Sequence, residues 1–294
     1  MIFHKQRRAW SVDFVNAVGR GDLAGAVADA ERARVRELVV NHVDDGPGFL
    51  VLTGLERLPS DTYERALLWL SASLGDLLPQ DSAGTTVRLV WDRGTAVGEG
   101  ASARYADSRQ GGHLHTDGAE RAFPVPDYFA LSCVRAAKRG GALRVVLVDR
   151  IRERLAARPE VLATLQEGFH FDRRGDELPG QPTTAYKPVL FNAMNGQQAV
   201  TYLRKYIEVG HTRPGTTDLS DDQRDALDAF DAALYDAEMG VEGRMRRGEI
   251  AVFNNLRILH GRTDFEDYAE PERRRLLYRT WIQKAETRFE PVGS

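Results

Sequence analysis

The sequence predicts a mainly β fold with helices, a sandwich or barrel of short strands of which the jelly roll is one form. Short β-rich runs crowd the chain from residue 127 onward, whereas helical periodicity is gathered early and in two interruptions of the β-rich part. The alternation of strand and helix is too irregular for a Rossmann sheet. The chain also carries neither of the common glycine-rich phosphate loops and no Gly-x-Ser-x-Gly elbow.

Taken in order, residues 22 to about 43 place Leu23, Val27, Ala30, Leu38 and Val39 at positions that suit a helix, which Gly46 and Pro47 stop. "GFLVLTGL" (48–55) then reads as a buried strand. A second helix begins near Ser60, carries Tyr63, Leu67, Leu68, Leu70 and Leu74, and ends in "LGDLLP"; "TTVRLVWD" (85–92) is the next strand. The β-rich part follows as "DYFALSCV" (127–134), "ALRVVLVD" (142–149), "GFHFD" (168–172), "KPVLFN" (187–192), "QAVTYL" (198–203), "EIAVFNN" (249–255) and "RRLLYRTWI" (274–282). One helical interruption runs from Asp149 to Gln166 with a break at Pro159. The other opens at a capping box, Ser220 with Gln223, and repeats Ala226, Leu227, Phe230, Ala233 and Leu234.

The 294 residues show no repeat and no long Pro/Gly/Ser linker, so one domain, 1–294, is expected, with 1–80 mostly helical and 81–285 forming the β core. The single cysteine, Cys133 in "YFALSCV", rules out an intramolecular disulfide and a Cys-based zinc site and reads as a small buried hydrophobe in a reducing cytosol. A formal charge of −3 with interspersed Arg, Asp and Glu leaves no basic stripe, so nucleic acid is not an expected partner. The N-terminus lacks a continuous apolar stretch, and no apolar run reaches the roughly 20 residues that span a bilayer. A cytoplasmic protein without a membrane partner is expected.

"GGHLHTDGAE" (111–120) sets His113, His115 and Asp117 between glycines. In an extended segment, residues two apart point to the same side, so His115 and Asp117 present an imidazole and a carboxylate together. Two histidines and one carboxylate make the facial triad that holds non-haem Fe(II) with positions left open. The missing histidine must come from elsewhere. His260, directly after an apolar strand in "FNNLRILHGRTDF", is placed where a barrel brings strand ends together. The pair His113 and His115 is an alternative, as is His170 with Asp172, although too few strands separate that pair from His260 to wrap a barrel around a metal. The bland alternative for an isolated His-x-Asp is a solvated turn.

The last strand alternates from Arg275, so that Arg275, Leu277, Arg279 and Trp281 share one face and Leu276, Tyr278, Thr280 and Ile282 the other. If the arginine face is inward, each guanidinium needs a carboxylate from the protein or from a ligand, because a buried unpaired charge is costly. If it is outward, the arginines are simply solvated. Arg275 and Arg279 lie about 13 Å apart along an extended strand, which suits two anions better than one.

His115-x-Asp117, then His260, then Arg275 resembles the Fe(II)/2-oxoglutarate-dependent dioxygenases, and more narrowly the taurine dioxygenase and clavaminate synthase-like superfamily. The segments "LHTDG", "FALSCVRAAKRGG", "RRGEIAVFNNLRILHGRTDFED" and "RRRLLYRTWI" carry the resemblance in order over roughly residues 85–285. It implies a double-stranded β-helix, the cupin-like form of the jelly roll, with flanking and inserted helices. It further implies that His115, Asp117 and His260 bind Fe(II), that Arg275 holds the distal carboxylate of 2-oxoglutarate, and that Arg279 grips an anionic group of the substrate, with His113 a pocket or supporting residue. The sequence departs from the family in "GGAL", where Leu143 stands in the position of a threonine that often supplies a hydroxyl to the cosubstrate.

The implied activity is an O2-dependent hydroxylation of an unactivated C–H bond in a small, anionic or zwitterionic molecule, free or carrier-bound, with release of succinate and CO2. Asp117 argues against halogenation, since related halogenases have a small residue there. Desaturation, epoxidation, cyclisation and oxidative cleavage next to a heteroatom use the same ligands. The non-enzymatic alternative is a small-molecule-binding β-sandwich. The polar loops 170–186 and 208–220 are the expected covers of the pocket.

Overall fold

The computed structural model describes residues 2–94, 107–177, 180–193 and 195–284. Its N-terminal part comprises α1 (Ile2–Lys5), β1 (Arg7–Ala9), α2 (Val12–Arg20), α3 (Gly25–Val39) running on into a π-helical turn (Val40–Asp44), β2 (Phe49–Thr53) and α4 (Thr62–Leu74). Next come β3 (Asp76–Leu78), β4 (Val87–Val90), β5 (Tyr128–Arg135), β6 (Arg139–Gly140) and β7 (Leu143–Leu147), then α5 (Val148–Leu155) and α6 (Pro159–Gln166). A hairpin of β8 (Gly168–Asp172) and β9 (Thr184–Pro188) is followed by β10 (Leu190–Asn192), β11 (Gln198–Val200), α7 (Arg204–Gly210) and α8 (Asp221–Leu234). The chain then forms β12 (Gly240–Gly243), β13 (Ile250–Asn254), β14 (Ile258–Arg262), β15 (Phe265–Glu266) and β16 (Leu276–Gln283).

The larger sheet has the order β1-β2-β13-β5-β16-β3, with β4 also paired to β16, and the smaller has the order β12-β7-β14. Between them lies a core drawn from both, including Phe49, Phe129, Leu131, Val145, Phe253, Ile258, Leu277 and Trp281. Phe129 and Phe253 are cross-strand partners whose rings stack 4.6 Å apart. The alternate residues of the larger sheet, such as Leu50, Leu52, Ala130, Val252 and Ile282, bury against Phe14, Val35, Tyr63, Leu67 and Leu70 of α2–α4. Covering both faces explains why these strands read as unbroken apolar runs rather than as polar and apolar in turn. A third core joins α5, α6 and α8 to Phe169, Phe171 and Leu259. The result is the predicted mainly β fold with a jelly-roll core and helices outside it.

The elements match the sequence with local corrections. The helix expected from residue 22 is α3 with its π-helical turn, and an unexpected helix, α2, precedes it: Ser11 caps α2 by accepting from the Phe14 N–H, and Gly21, at φ 77°, closes it before α3 begins. "KPVLFN" divides at Val189 between β9 and β10. His260 does not follow the strand 249–255 but sits inside a strand of its own, β14. The arginine-bearing face of β16 is the inward one, while Thr280 and Ile282 on the other face meet α4, with the Ser71 and Thr280 hydroxyls 2.9 Å apart. Cys133 is buried as expected, and burial pushes its thiol up to about 12. No helix of the described residues is long and apolar enough to cross a membrane.

Lys187 on β9 is only 3% exposed, its ammonium placed 4.7 Å from the Phe171 ring centre and donating to the Arg121 carbonyl. Burial pulls its pKa down to about 7, against the opposing pull of Glu120.

The Ser220 capping box is present with both bonds, the Gln223 N–H to Ser220 Oγ and the Ser220 N–H to Gln223 Oε1, each 3.1 Å. Ser220→Ala should cost about 1 kcal/mol of stability, measured by denaturant unfolding. For Lys187 the folded state binds protons less readily than the unfolded state, so stability falls as pH drops from the ordinary lysine range to about 7. Relative to Lys187→Met, the wild type should gain up to about 1.4 kcal/mol per pH unit between pH 7 and 10, and a flat difference in urea unfolding would contradict this.

Candidate metal centre

His115 and His260 meet through the main chain. Each donates its N–H to the other's carbonyl, at 2.9 and 2.8 Å, forming an isolated antiparallel bridge that sets their rings 4.5 Å apart. Asp117 follows at the mouth of a tight turn in which the Arg121 N–H reaches the Gly118 carbonyl, with Gly118 at φ 72° and a side chain there blocked by Pro126. From the β13–β14 turn, the fully buried Asn255 clamps this segment. Its Oδ1 accepts from the Asp117 N–H at 2.8 Å, and its Nδ2 donates to the Asp117 and Pro126 carbonyls at 2.9 Å each. Candidate ligand atoms of His115, Asp117 and His260 thus lie within 4.8 Å of one another, the one such group among the described residues. The alternative His170 and Asp172 are committed elsewhere, His170 to Thr184 and Asp172 to a two-bond ion pair with Arg213.

Asp117 is 4% exposed, and donors from β16 meet its charge: Arg279 Nη1 reaches Oδ1 at 2.8 Å and Trp281 Nε1 reaches Oδ2 at 2.9 Å. Burial raises its pKa, but Arg279, the two histidines and Trp281 together outweigh that and hold it below the usual carboxylate range. Burial likewise keeps the imidazoles neutral, lowering His115 and driving His260 down to about 3. His115 Nδ1 donates to the His113 carbonyl at 2.8 Å, which leaves the lone pair on Nε2, the nitrogen 3.8 Å from Asp117 Oδ1. His260 presses its ring 4.2 Å from Phe129, and its buried Nδ1 has no hydrogen-bond partner among the described residues. Two neutral imidazoles and an ionised carboxylate converging in a dry site form a donor set that fits a divalent transition metal.

Arg275 is 5% exposed, and among the described residues no carboxylate forms an ion pair with its guanidinium. Asp267, its electrostatic neighbour, accepts instead from the Arg275 backbone N–H at 2.8 Å. A small cavity joins Arg275 and Arg279 to His115, His260, Leu131 and Leu143. Leu143 offers no hydroxyl there. What the sequence reading missed is Arg262, which lines the same cavity and whose pKa is depressed to about 10 by burial and by Arg275. Arg279 also donates Nε to Gln80 Oε1 at 2.8 Å, so Asp117 and Gln80 are both among its acceptors.

A larger cavity of about 420 Å³ opens on the other side of Trp281 and Gln80, lined by Glu120, Arg121, Phe123 and, from the first expected cover loop, Arg173, Asp176 and Gln181. Residues 178 and 179 of that loop lie outside the described residues. The second expected cover loop is stitched to the first by the Arg213–Asp172 pair. His113 departs from its expected place: its side chain is exposed and rests against Tyr235, and only its carbonyl serves the centre, through His115. Its neighbour Leu114 fills the core instead.

Gln80, Asn255, Trp281 and Arg262 carry no spacing signal and owe their place to tertiary contact. Asn255→Ala strips a partner from two carbonyls and one N–H, all buried, so it should lower stability by about 3 kcal/mol. It should also weaken divalent-metal affinity about tenfold or more, read by unfolding and by metal titration.

The family model of the taurine catabolism dioxygenase TauD, TfdA family matches residues 13–281. FR-33289 synthase of Streptomyces rubellomurinus is 28% identical over 280 residues, covering 92% of this chain and 80% of that one. Uridine-5'-phosphate dioxygenase of a Streptomyces species is 29% identical over 167 residues, 56% of this chain and 59% of that one. Among solved structures, asparagine oxygenase in complex with Fe(II), 2S,3S-3-hydroxyasparagine and succinate superposes with TM-score 0.69 at 21% identity, covering 94% of this chain and 93% of that one. The non-heme iron oxygenase OrfP in complex with Fe and alpha-ketoglutaric acid does so with TM-score 0.68 at 16% identity and coverages of 94% and 93%. These structures share the fold, and because the family match takes in nearly the whole chain, the protein belongs to the TauD, TfdA family of dioxygenases.

Proposed function

We propose that the protein is an Fe(II)- and 2-oxoglutarate-dependent oxygenase that hydroxylates a C–H bond of a small anionic or zwitterionic molecule, such as an amino acid or a biosynthetic intermediate. The observation that carries the reading is the pairing of a converging His115, Asp117 and His260 with a buried Arg275 whose guanidinium forms no ion pair with a carboxylate among the described residues. In this reading the triad holds the iron, and Arg275 takes the distal carboxylate of 2-oxoglutarate as the missing counter-ion. Bound together, iron and 2-oxoglutarate supply the oxidising power from O2, the cosubstrate leaving as succinate and CO2.

The chain's own contribution is placement and exclusion of water. Trp281 and Arg279 orient the Asp117 carboxylate, the His113 carbonyl orients His115, and Asn255 fixes the main chain beneath them. Leu131 and Leu143 line the cosubstrate side with apolar surface, which strengthens the Arg275 ion pair by keeping water out. Arg279 is the substrate-anion residue in this reading, a planar fork on the cavity that also holds His115 and His260. Cys133, single and buried, supports a cytoplasmic setting. The names of similar proteins, an asparagine oxygenase and a uridine-5'-phosphate dioxygenase, support a small-molecule substrate.

Anaerobic addition of Fe(II) and 2-oxoglutarate should give the visible charge-transfer absorption of the chelate, and its absence from folded protein would overturn the reading. Arg275→Leu should need about a hundredfold more 2-oxoglutarate for the same absorption, the usual scale for removing one partner of a buried ion pair.

A further inference from the structure

We propose that Glu120 is a specificity-determining residue that reads a cationic nitrogen of the substrate, an inference that rests on the oxygenase reading of the centre. Glu120 hangs from the same tight turn as Asp117, three residues on, and faces the 420 Å³ cavity. Its side chain belongs to a residue only 8% exposed, yet no hydrogen bond or ion pair from any described residue reaches its carboxylate. The nearby cations are already given to carbonyls, Lys187 to that of Arg121 and Arg121 Nη1 to that of Pro79 at 2.5 Å. The other acids of the wall differ. Asp81 caps the Ala83 and Thr85 N–H groups, and Asp176 has a partner.

A carboxylate offers up to about four acceptor positions, and those of Glu120 open onto the cavity. A protonated amine or guanidinium fills those positions with charge-assisted bonds and cancels the charge, whereas a hydroxyl fills only one and leaves the charge in place. The cavity also borders the centre. Trp281 forms its wall and donates to Asp117, and Gln80 forms its wall and accepts from Arg279. A cation held by Glu120 is therefore anchored beside the proposed iron ligand, with Arg121 and Arg173 on the same cavity for an anionic end.

The probes are the common L-amino acids, each beside its N-acetyl and 2-hydroxy-acid counterparts, with lysine beside Nε-acetyl-lysine and arginine beside citrulline. Binding is measured by calorimetry on the full chain loaded with 2-oxoglutarate and a redox-inert divalent metal. At least one cationic probe should bind tenfold or more tightly than its uncharged counterpart, Glu120→Gln should erase that advantage, and Glu120→Asp should restore part of it. No advantage for any cationic probe in the wild type, or an advantage that survives in Glu120→Gln, overturns the proposal. The anaerobic Fe(II)–2-oxoglutarate absorption separates the two levels: its loss in the wild type strikes the oxygenase reading, while its presence without cation preference strikes Glu120 alone. The same absorption in Glu120→Gln confirms that the variant has folded.

Discussion

A carboxylate withdrawn from water has to be met by donors, which reach Asp117 from β16, and the residue as a whole is held from three directions at once. Arg279 and Trp281 reach it from β16, the neutral histidines face it from the 115–260 bridge, and Asn255 holds its main chain from the β13–β14 turn. None of these groups could move alone without leaving the charge uncompensated, which in a buried site costs several kcal/mol. The larger sheet supplies β16, the smaller supplies β14, and the 111–120 segment crosses between them. The register of both sheets is thereby tied to one side chain.

Burial has opposite effects on the members of this group, and the group works because of that. The imidazoles lose their protons readily and so present lone pairs, whereas Asp117 keeps its charge against burial, with Arg279 first among the groups that hold it. Arg275, just before the same strand, has the reverse problem, a buried guanidinium with no ion pair among the described residues and with Asp267 as an electrostatic neighbour. One wall of the site is electrically complete, whereas the other gathers guanidinium charge. Arg262 adds to the second, since burial and Arg275 together depress its pKa.

Much of this was legible in the sequence because the decisive residues are of types whose chemistry is narrow. His115, Asp117 and His260 announced themselves by type and by glycine flanks, and the alternation of β16 placed Arg275 and Arg279 on one face before the structure chose that face as inward. The strands were readable from apolar runs, and α8 from its capping box. Asn255, Gln80 and Trp281 were not, since an asparagine after an apolar strand or a tryptophan inside one has an ordinary structural reading. Their function arises only when segments far apart in sequence close on Asp117. His113 misled for a related reason: strict alternation assumed a regular strand, but the segment meets β14 only at the Gly112–Arg262 bond and the His115–His260 bridge among the described residues, and His113 turns outward to Tyr235. The helix α2 was passed over because Gly21 and Gly25 interrupt what otherwise reads as one periodic stretch.

The reciprocal backbone bonds between His115 and His260 join points that lie near the two ends of the β core. An ion gripping both rings would act as a cross-link closing that long loop in the folded chain, with nothing equivalent to grip in the unfolded one. Thermodynamic linkage then makes the free-metal concentration a dial on the resistance of the whole fold to heat, each tenfold excess over the dissociation constant adding about 1.4 kcal/mol. A cell poor in available iron would hold this chain in a softer state, more open to proteolysis, so that its abundance would follow metal supply as well as its catalysis.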